Sequence, residues 1–357
     1  MLNRRDFLRS SLQITALSLL NPPALAANST PTLLSADWAN EGSISAPSFG
    51  ALGGKRVMLP SRGHAILPLP NGEAIVVSRR LGLWLARINW QRGEVLQMVD
   101  AAFDRHFFGH GLLTPDGSTL LTTENNDDTS AGLIGIYDAV SLKRLGEIPS
   151  GGIGPHELLW LSPGKILAVA NGGILTLPET GRTKLNLGAM SASITLLEWP
   201  SGKVIDQFSL SDKALSLRHL ALAADGTLGI AMQAEYPNAK QHRDAPLLAL
   251  LNPQSGRLTV AAQSEGLMGY GASIAAVGNE FLITALRGNQ LGRWRSDGAP
   301  LPTLSLPRPA GIASHNNTAW ISSENGGIYQ YQPQDQTLKA LDGYTQQKWD
   351  NHLVIAA

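Results

Sequence analysis

The chain has 357 residues, with 28 Lys and Arg against 28 Asp and Glu, eight histidines and no cysteine. The balanced charge argues against nucleic acid or an acidic membrane surface as a partner. The missing cysteines exclude disulfides, thiolate metal ligands and a cysteine-linked lipid anchor.

From the N-terminus, Asn3-Arg4-Arg5-Asp6-Phe7-Leu8-Arg9 opens a twin-arginine-type export signal. The apolar stretch Leu12–Leu20, Pro22-Pro23 and the small-x-small triplet Ala24-Leu25-Ala26 follow in the order a signal peptidase site needs. The apolar run is too short to span a bilayer. Residues 1–26 are thus expected to be a removable signal and residues 27–357 a single domain, folded before export to the periplasm, with no stable membrane insertion after cleavage. Removal of Arg4, Arg5, Arg9 and Asp6 leaves a formal charge near −2.

Three extended pieces follow: Thr32–Asp37, Gly42–Ala46 and Arg56–Leu59. A repeat then begins. His64 opens a short apolar run closed by Asn71-Gly72. His110 is followed in the same way by Pro115-Asp116-Gly117, His156 by Pro163-Gly164 and His219 by Ala224-Asp225-Gly226. Tyr270 and Gly311 hold the next equivalent places, and His352 closes the series. The steps are 46, 46, 63, 51, 41 and 41 residues. A period of roughly 40–50 residues with several strands per unit reads as a β-propeller.

The first unit resolves into His64–Leu69, Glu73–Arg79, Leu83–Asn89 and Glu94–Val99, joined by Gly-bearing hairpin turns. Second strands such as Ala74-Ile75-Val76-Val77 and Ile166-Leu167-Ala168-Val169 lack polar alternation, as expected of strands buried on both faces. The third unit carries a polar insertion, Pro178-Glu179-Thr180-Gly181-Arg182-Thr183-Lys184, which is a candidate lid. His352–Ala357 reads as a first strand without its companions. Joined to the N-terminal pieces it completes an all-β, seven-bladed β-propeller whose last blade is closed by strands from both termini.

The start of each first strand and the end of each second strand lie at one end of a propeller. That face therefore collects His64, His110, His156, His219 and His352 as candidate metal ligands. Arg79, Asn125 and Asn171 fall fifteen residues after their histidines. With Glu124, Glu157, Glu235, Arg287 and Glu324 they form the candidate ligand-binding set. Neutral imidazoles converging from separate strands suit a transition metal such as iron, copper or zinc. A structural role fits the same pattern, with each histidine hydrogen-bonding inside its own blade. There is no Gly-x-Ser-x-Gly elbow, and Gly151-Gly152-Ile153-Gly154 lacks the Lys and helix of a phosphate loop.

Several stretches resemble a bacterial family catalogued as domain of unknown function 1513. They are Thr122-Thr123-Glu124-Asn125, Gly135-Ile136-Tyr137-Asp138, Gly151 to Glu157, Val169-Ala170-Asn171-Gly172-Gly173-Ile174 and Gly181-Arg182-x-Lys184-Leu185-Asn186. The resemblance implies a twin-arginine-exported, seven-bladed propeller. It also implies proximity to periplasmic iron-uptake proteins of the imelysin type, and hence a role around iron or another metal. The family commonly carries His where this chain has Leu177. The leading expectation is a monomeric accessory protein that binds a metal or metal complex at the histidine face. The alternatives are a metal-dependent oxidoreductase or lactone hydrolase at the same place, and a metal-free protein–protein scaffold.

Overall fold

The computed structural model describes residues 31–36, 48–51, 55–262, 265–344 and 349–356. The expected signal (residues 1–26) and the expected strand Gly42–Ala46 lie outside them. The fold is an all-β propeller. Among the described residues helix is confined to Ala239–Arg243 and the 3-10 turns Pro178–Thr180 and Leu187–Ala189. No described helix is long and apolar enough to cross a membrane.

Residues 63–100, 105–149, 155–208, 215–260, 271–305 and 309–341 each form a four-stranded antiparallel meander. The strands of the first, Gly63–Leu69, Glu73–Ser78, Trp84–Asn89 and Glu94–Asp100, match the expected bounds to within a residue. Second strands are buried along their length, as in Ile166–Asn171, Glu280–Ala285 and Thr318–Ser323. Apolar layers fill the space between neighbouring sheets, with Trp84, Trp294 and Trp320 among them. Fourth strands such as Arg144–Pro149 alternate between exposed and half-buried residues, because one of their faces meets solvent.

The first strand of each meander packs against the first strand of the next, so these strands surround a common axis. A further sheet joins the two ends of the chain. In it Val354–Ile355 pairs with Leu33–Ala36, then Ser48–Ala51, then Arg56–Met58. The regular pairing of the closing strand covers Val354–Ile355, a shorter stretch than the expected His352–Ala357. This strand packs between Pro309–His315 on one side and Gly63–Leu69 on the other. Ser35 Oγ donates to the carbonyl of His352 at 2.7 Å, and the amide of Ala356 donates to Thr32 at 2.9 Å. Gly311 leaves room for this segment: a Cβ there would stand 2.6 Å from the amide nitrogen of Leu353.

Deleting Asn351–Ala357 removes the buried Leu353 and exposes the edge of Leu33–Ala36. The expected loss is about 3–5 kcal/mol, or roughly 10 °C in thermal midpoint. An unchanged melting curve would mean that the ring closes without this strand.

Candidate functional site

The five repeat histidines come together at the axis. His64, His110, His156 and His219 each stand beside a register shift near the start of an innermost strand, between Gly63 and Ile66, Phe107 and Gly111, Pro155 and Glu157, and Leu217 and His219. Such irregularities bend a strand and re-aim its side chains, here toward the axis. His352 arrives on the closing segment. All five are buried or nearly so. The His110 ring lies 5.0 Å from that of His64, 4.7 Å from those of His156 and His352, and 5.3 Å from that of His219. Gly109 makes this possible, since a Cβ on it would lie 2.6 Å from Cδ2 of His64.

The imidazoles meet through their Nε2 atoms. Nε2 of His156 is 3.3 Å from Nε2 of His219, and Nε2 of His352 is 3.1 Å from Nε2 of His64. Nε2 of His110 is buried without a hydrogen-bond partner. Carboxylates address the opposite ring nitrogens. Glu157 Oε2 is 3.1 Å from Nδ1 of His219, and its Oε1 is 3.9 Å from Nδ1 of His110. Asp350 Oδ2 stands 3.7 Å from Nδ1 of His64, and Arg62 grips both oxygens of Asp350. Glu157 Oε2, which also accepts from the Leu220 amide at 2.9 Å, accepts from Nδ1–H of His219 and so fixes the tautomer that leaves its Nε2 as a lone pair facing inward.

These distances suit a metal ion. Two nitrogens bound tetrahedrally at 2.0–2.1 Å stand about 3.3–3.4 Å apart. The ligand atoms of His64, His110 and His352 lie within 4.8 Å of one another, as do those of His110, His156 and His219. Burial, reinforced by neighbouring cationic groups, pushes all five imidazoles below their ordinary value of 6.5, His219 and His352 to about 3. They are therefore neutral, and able to ligate, at pH 7. Burial also lifts the Glu157 carboxyl to about 8.

Above the cluster opens a cavity of about 270 Å³. His64, His156 and His219 form part of its wall. Six cationic side chains (Arg79, Arg80, Arg182, Lys184, Arg218 and Arg287) also line it, and among the described residues no carboxylate does. Burial lowers the Arg79 guanidinium to about 10 and that of Arg80 to about 9. Arg80 lies over the Phe108 ring at 5.6 Å and Arg287 over the Tyr270 ring at 4.6 Å. Arg182 and Lys184 come from the insertion expected to be a lid, where Lys184 ion-pairs with Glu235.

The expected ligand-binding residues divide. Arg79 and Arg287 line the cavity, Glu157 touches the histidines and Glu235 holds Lys184. Glu124, Asn125, Asn171 and Glu324 lie elsewhere, which corrects the expectation for them. Glu124 accepts from Tyr137 at 2.7 Å and Arg144 at 2.9 Å inside its own sheet. Asn125 Nδ2 donates to the Asn126 carbonyl at 2.9 Å. Asn171 joins Ser150 at 2.8 Å and Thr195 at 3.0 Å, and Glu324 pairs with Arg308. The reason is directional. Arg79 and Arg287 also stand at the ends of second strands, but the side chains of these four are engaged by partners away from the axis. Arg218, Asp350 and Phe108 carry site roles that the repeat did not indicate. The available signal was a charged residue beside a repeat histidine, as in Arg218-His219. Tyr270 lines the cavity and accepts from Asn351 at 3.1 Å, whereas Gly311 contributes only space.

The profile of a family described as "Protein of unknown function (DUF1513)" matches residues 57–356. No curated protein matches the chain. Among solved structures, a streptogramin B lyase structure is 16% identical with a TM-score of 0.54, the match covering 78% of this chain and 82% of that one. Kuenenia stuttgartiensis hydrazine synthase is 12% identical with a TM-score of 0.58, covering 83% and 88%. At these identities the likeness shows the fold alone.

The buried histidines are expected to make the metal-free protein acid-sensitive. Their folded-state affinities for protons are depressed, so below pH 6.5 the unfolded chain binds protons that the folded chain refuses. The stability of metal-free protein is expected to fall as pH drops from about 6.5 toward about 3. Urea midpoints between pH 7 and 4 check this, and a His219→Gln/His352→Gln variant should show a shallower decline.

Proposed function

Because the chain belongs to the DUF1513 family, over residues that span nearly the whole ring, we propose that it is an exported accessory protein that binds a transition metal ion with its axial histidines. The sheet built from both chain ends is counted in this reading as the seventh blade. The signal-like residues 3–26 support transit to the periplasm, and the family resemblance supports a link to uptake of iron or another metal. One observation carries the binding proposal: imidazole Nε2 atoms from separate parts of the ring converge at metal-ligand spacing, with Glu157 on the opposite nitrogen of His219. An all-nitrogen set of this kind suits zinc, copper, iron or nickel.

The cavity favours a second reading. It reaches His64, His156 and His219, so a bound ion could keep a coordination position open to a substrate, as catalytic metal sites do. The streptogramin B lyase neighbour bears the name of an enzyme on the same fold. An ion with an exchangeable water supports the enzyme; a fully ligated ion supports the accessory protein.

Elemental analysis of protein purified from its native compartment is expected to give about one metal equivalent. A His110→Ala/His219→Ala variant should keep less than about a tenth of that. Equal, near-zero metal in both proteins after loading would leave the histidines structural. Replacement of Arg4 and Arg5 by Lys is expected to retain the protein in the cytoplasm, read by fractionation.

A further inference from the structure

The cavity above the histidines has a chemistry of its own. Six cations face a volume of about 270 Å³, at the lower end of small-molecule sites. Three acidic groups stand close by, and each is engaged: Asp350 by Arg62, Glu235 by Lys184, and Glu157, its carboxyl lifted to about 8 by burial, by His219 and the Leu220 amide. Among the described residues, Arg79, Arg80, Arg182 and Arg287 have no carboxylate within ion-pair distance. Like charges gathered in a partly enclosed space repel one another and focus a positive potential into the cleft.

The guanidinium groups are also held in place. Phe108 supports Arg80 and Tyr270 supports Arg287 from their ring faces. Arg218 Nη1 donates to Gln233 Oε1 at 2.5 Å. A planar, pre-organised fork with free donors matches carboxylate and phosphate oxygens in bidentate fashion. The cations come from three sheets and from the insertion, so they approach a ligand from several sides. A single oxyanion would answer only part of that charge.

We propose that this cavity binds a small organic or inorganic molecule carrying two or more carboxylate or phosphate groups. The inference stands apart from the metal reading, although His64, His156 and His219 give the two sites a shared wall.

The test uses the full mature chain, stripped of metal with a neutral chelator, so the anion site and the metal site are read separately. Titration calorimetry compares citrate and pyrophosphate with acetate and glucose. Citrate or pyrophosphate is expected to bind with an affinity that weakens as salt rises, with acetate and glucose much weaker. Which of the two binds more tightly identifies the ligand as polycarboxylate or polyphosphate. Arg80→Gln is expected to weaken binding about tenfold or more. Arg182→Gln, on an exposed segment where folding is not at stake, should do the same. The proposal is overturned if neither multivalent anion binds more tightly than acetate, or if a folded Arg182→Gln protein binds both anions as well as the parent.

Discussion

The axial site depends on one short pairing, Val354–Ile355 against Leu33–Ala36. An open stack of meanders would leave strand edges unpaired and its first strands free to splay. Drawing the C-terminal segment between Pro309–His315 and Gly63–Leu69 closes the circle of innermost strands and sets their distance from the axis. It also delivers two functional groups, His352 to the histidine cluster and Asp350 to His64 and Arg62. Closure and site assembly are therefore one event, and the small residue at Gly311 is part of both.

Around the axis, burial and charge work in opposite directions. Neutral imidazoles tolerate a dry, crowded position better than charged ones, and Glu157 accepts from the outer nitrogen of His219. The inward Nε2 atoms gain no such partner from the protein, and that of His110 is left unsatisfied. One level higher, guanidinium groups concentrate positive charge, and among the described residues Arg79, Arg80, Arg182 and Arg287 have no carboxylate within ion-pair distance. A layer of neutral imidazoles thus lies directly beneath a layer of cationic side chains. The lower layer disfavours protonation partly because the upper one is positive, as the effect of Arg218 on His156 and His219 illustrates.

The fold was largely legible. The histidine-and-turn period located each meander, and the first meander's strand bounds agreed to within a residue. The convergence of the histidines was also legible, because strands that begin on one face around one axis must bring equivalent positions together. The ligand-binding set was read less well. Glu124, Asn125, Asn171 and Glu324 share chain position with Arg79 and Arg287 but not direction. Counting residues along a second strand gives its end and not the face on which a side chain emerges, and a single residue of bulge reverses that face.

The amino-acid sequence by itself determined the periodicity, the apolar second strands and the places where the chain must turn. These follow from local sterics and from the hydrophobic pattern, which act within each unit. Only the tertiary structure decided which polar residues share a space. Asp350 lies 286 positions from His64 in the chain, and Lys184 lies 51 from Glu235. Their proximity is set by ring closure and by the path of the insertion, neither of which leaves a local trace. The physical reason is that electrostatic pairing depends on distance in space, whereas the repeat records only distance along the chain.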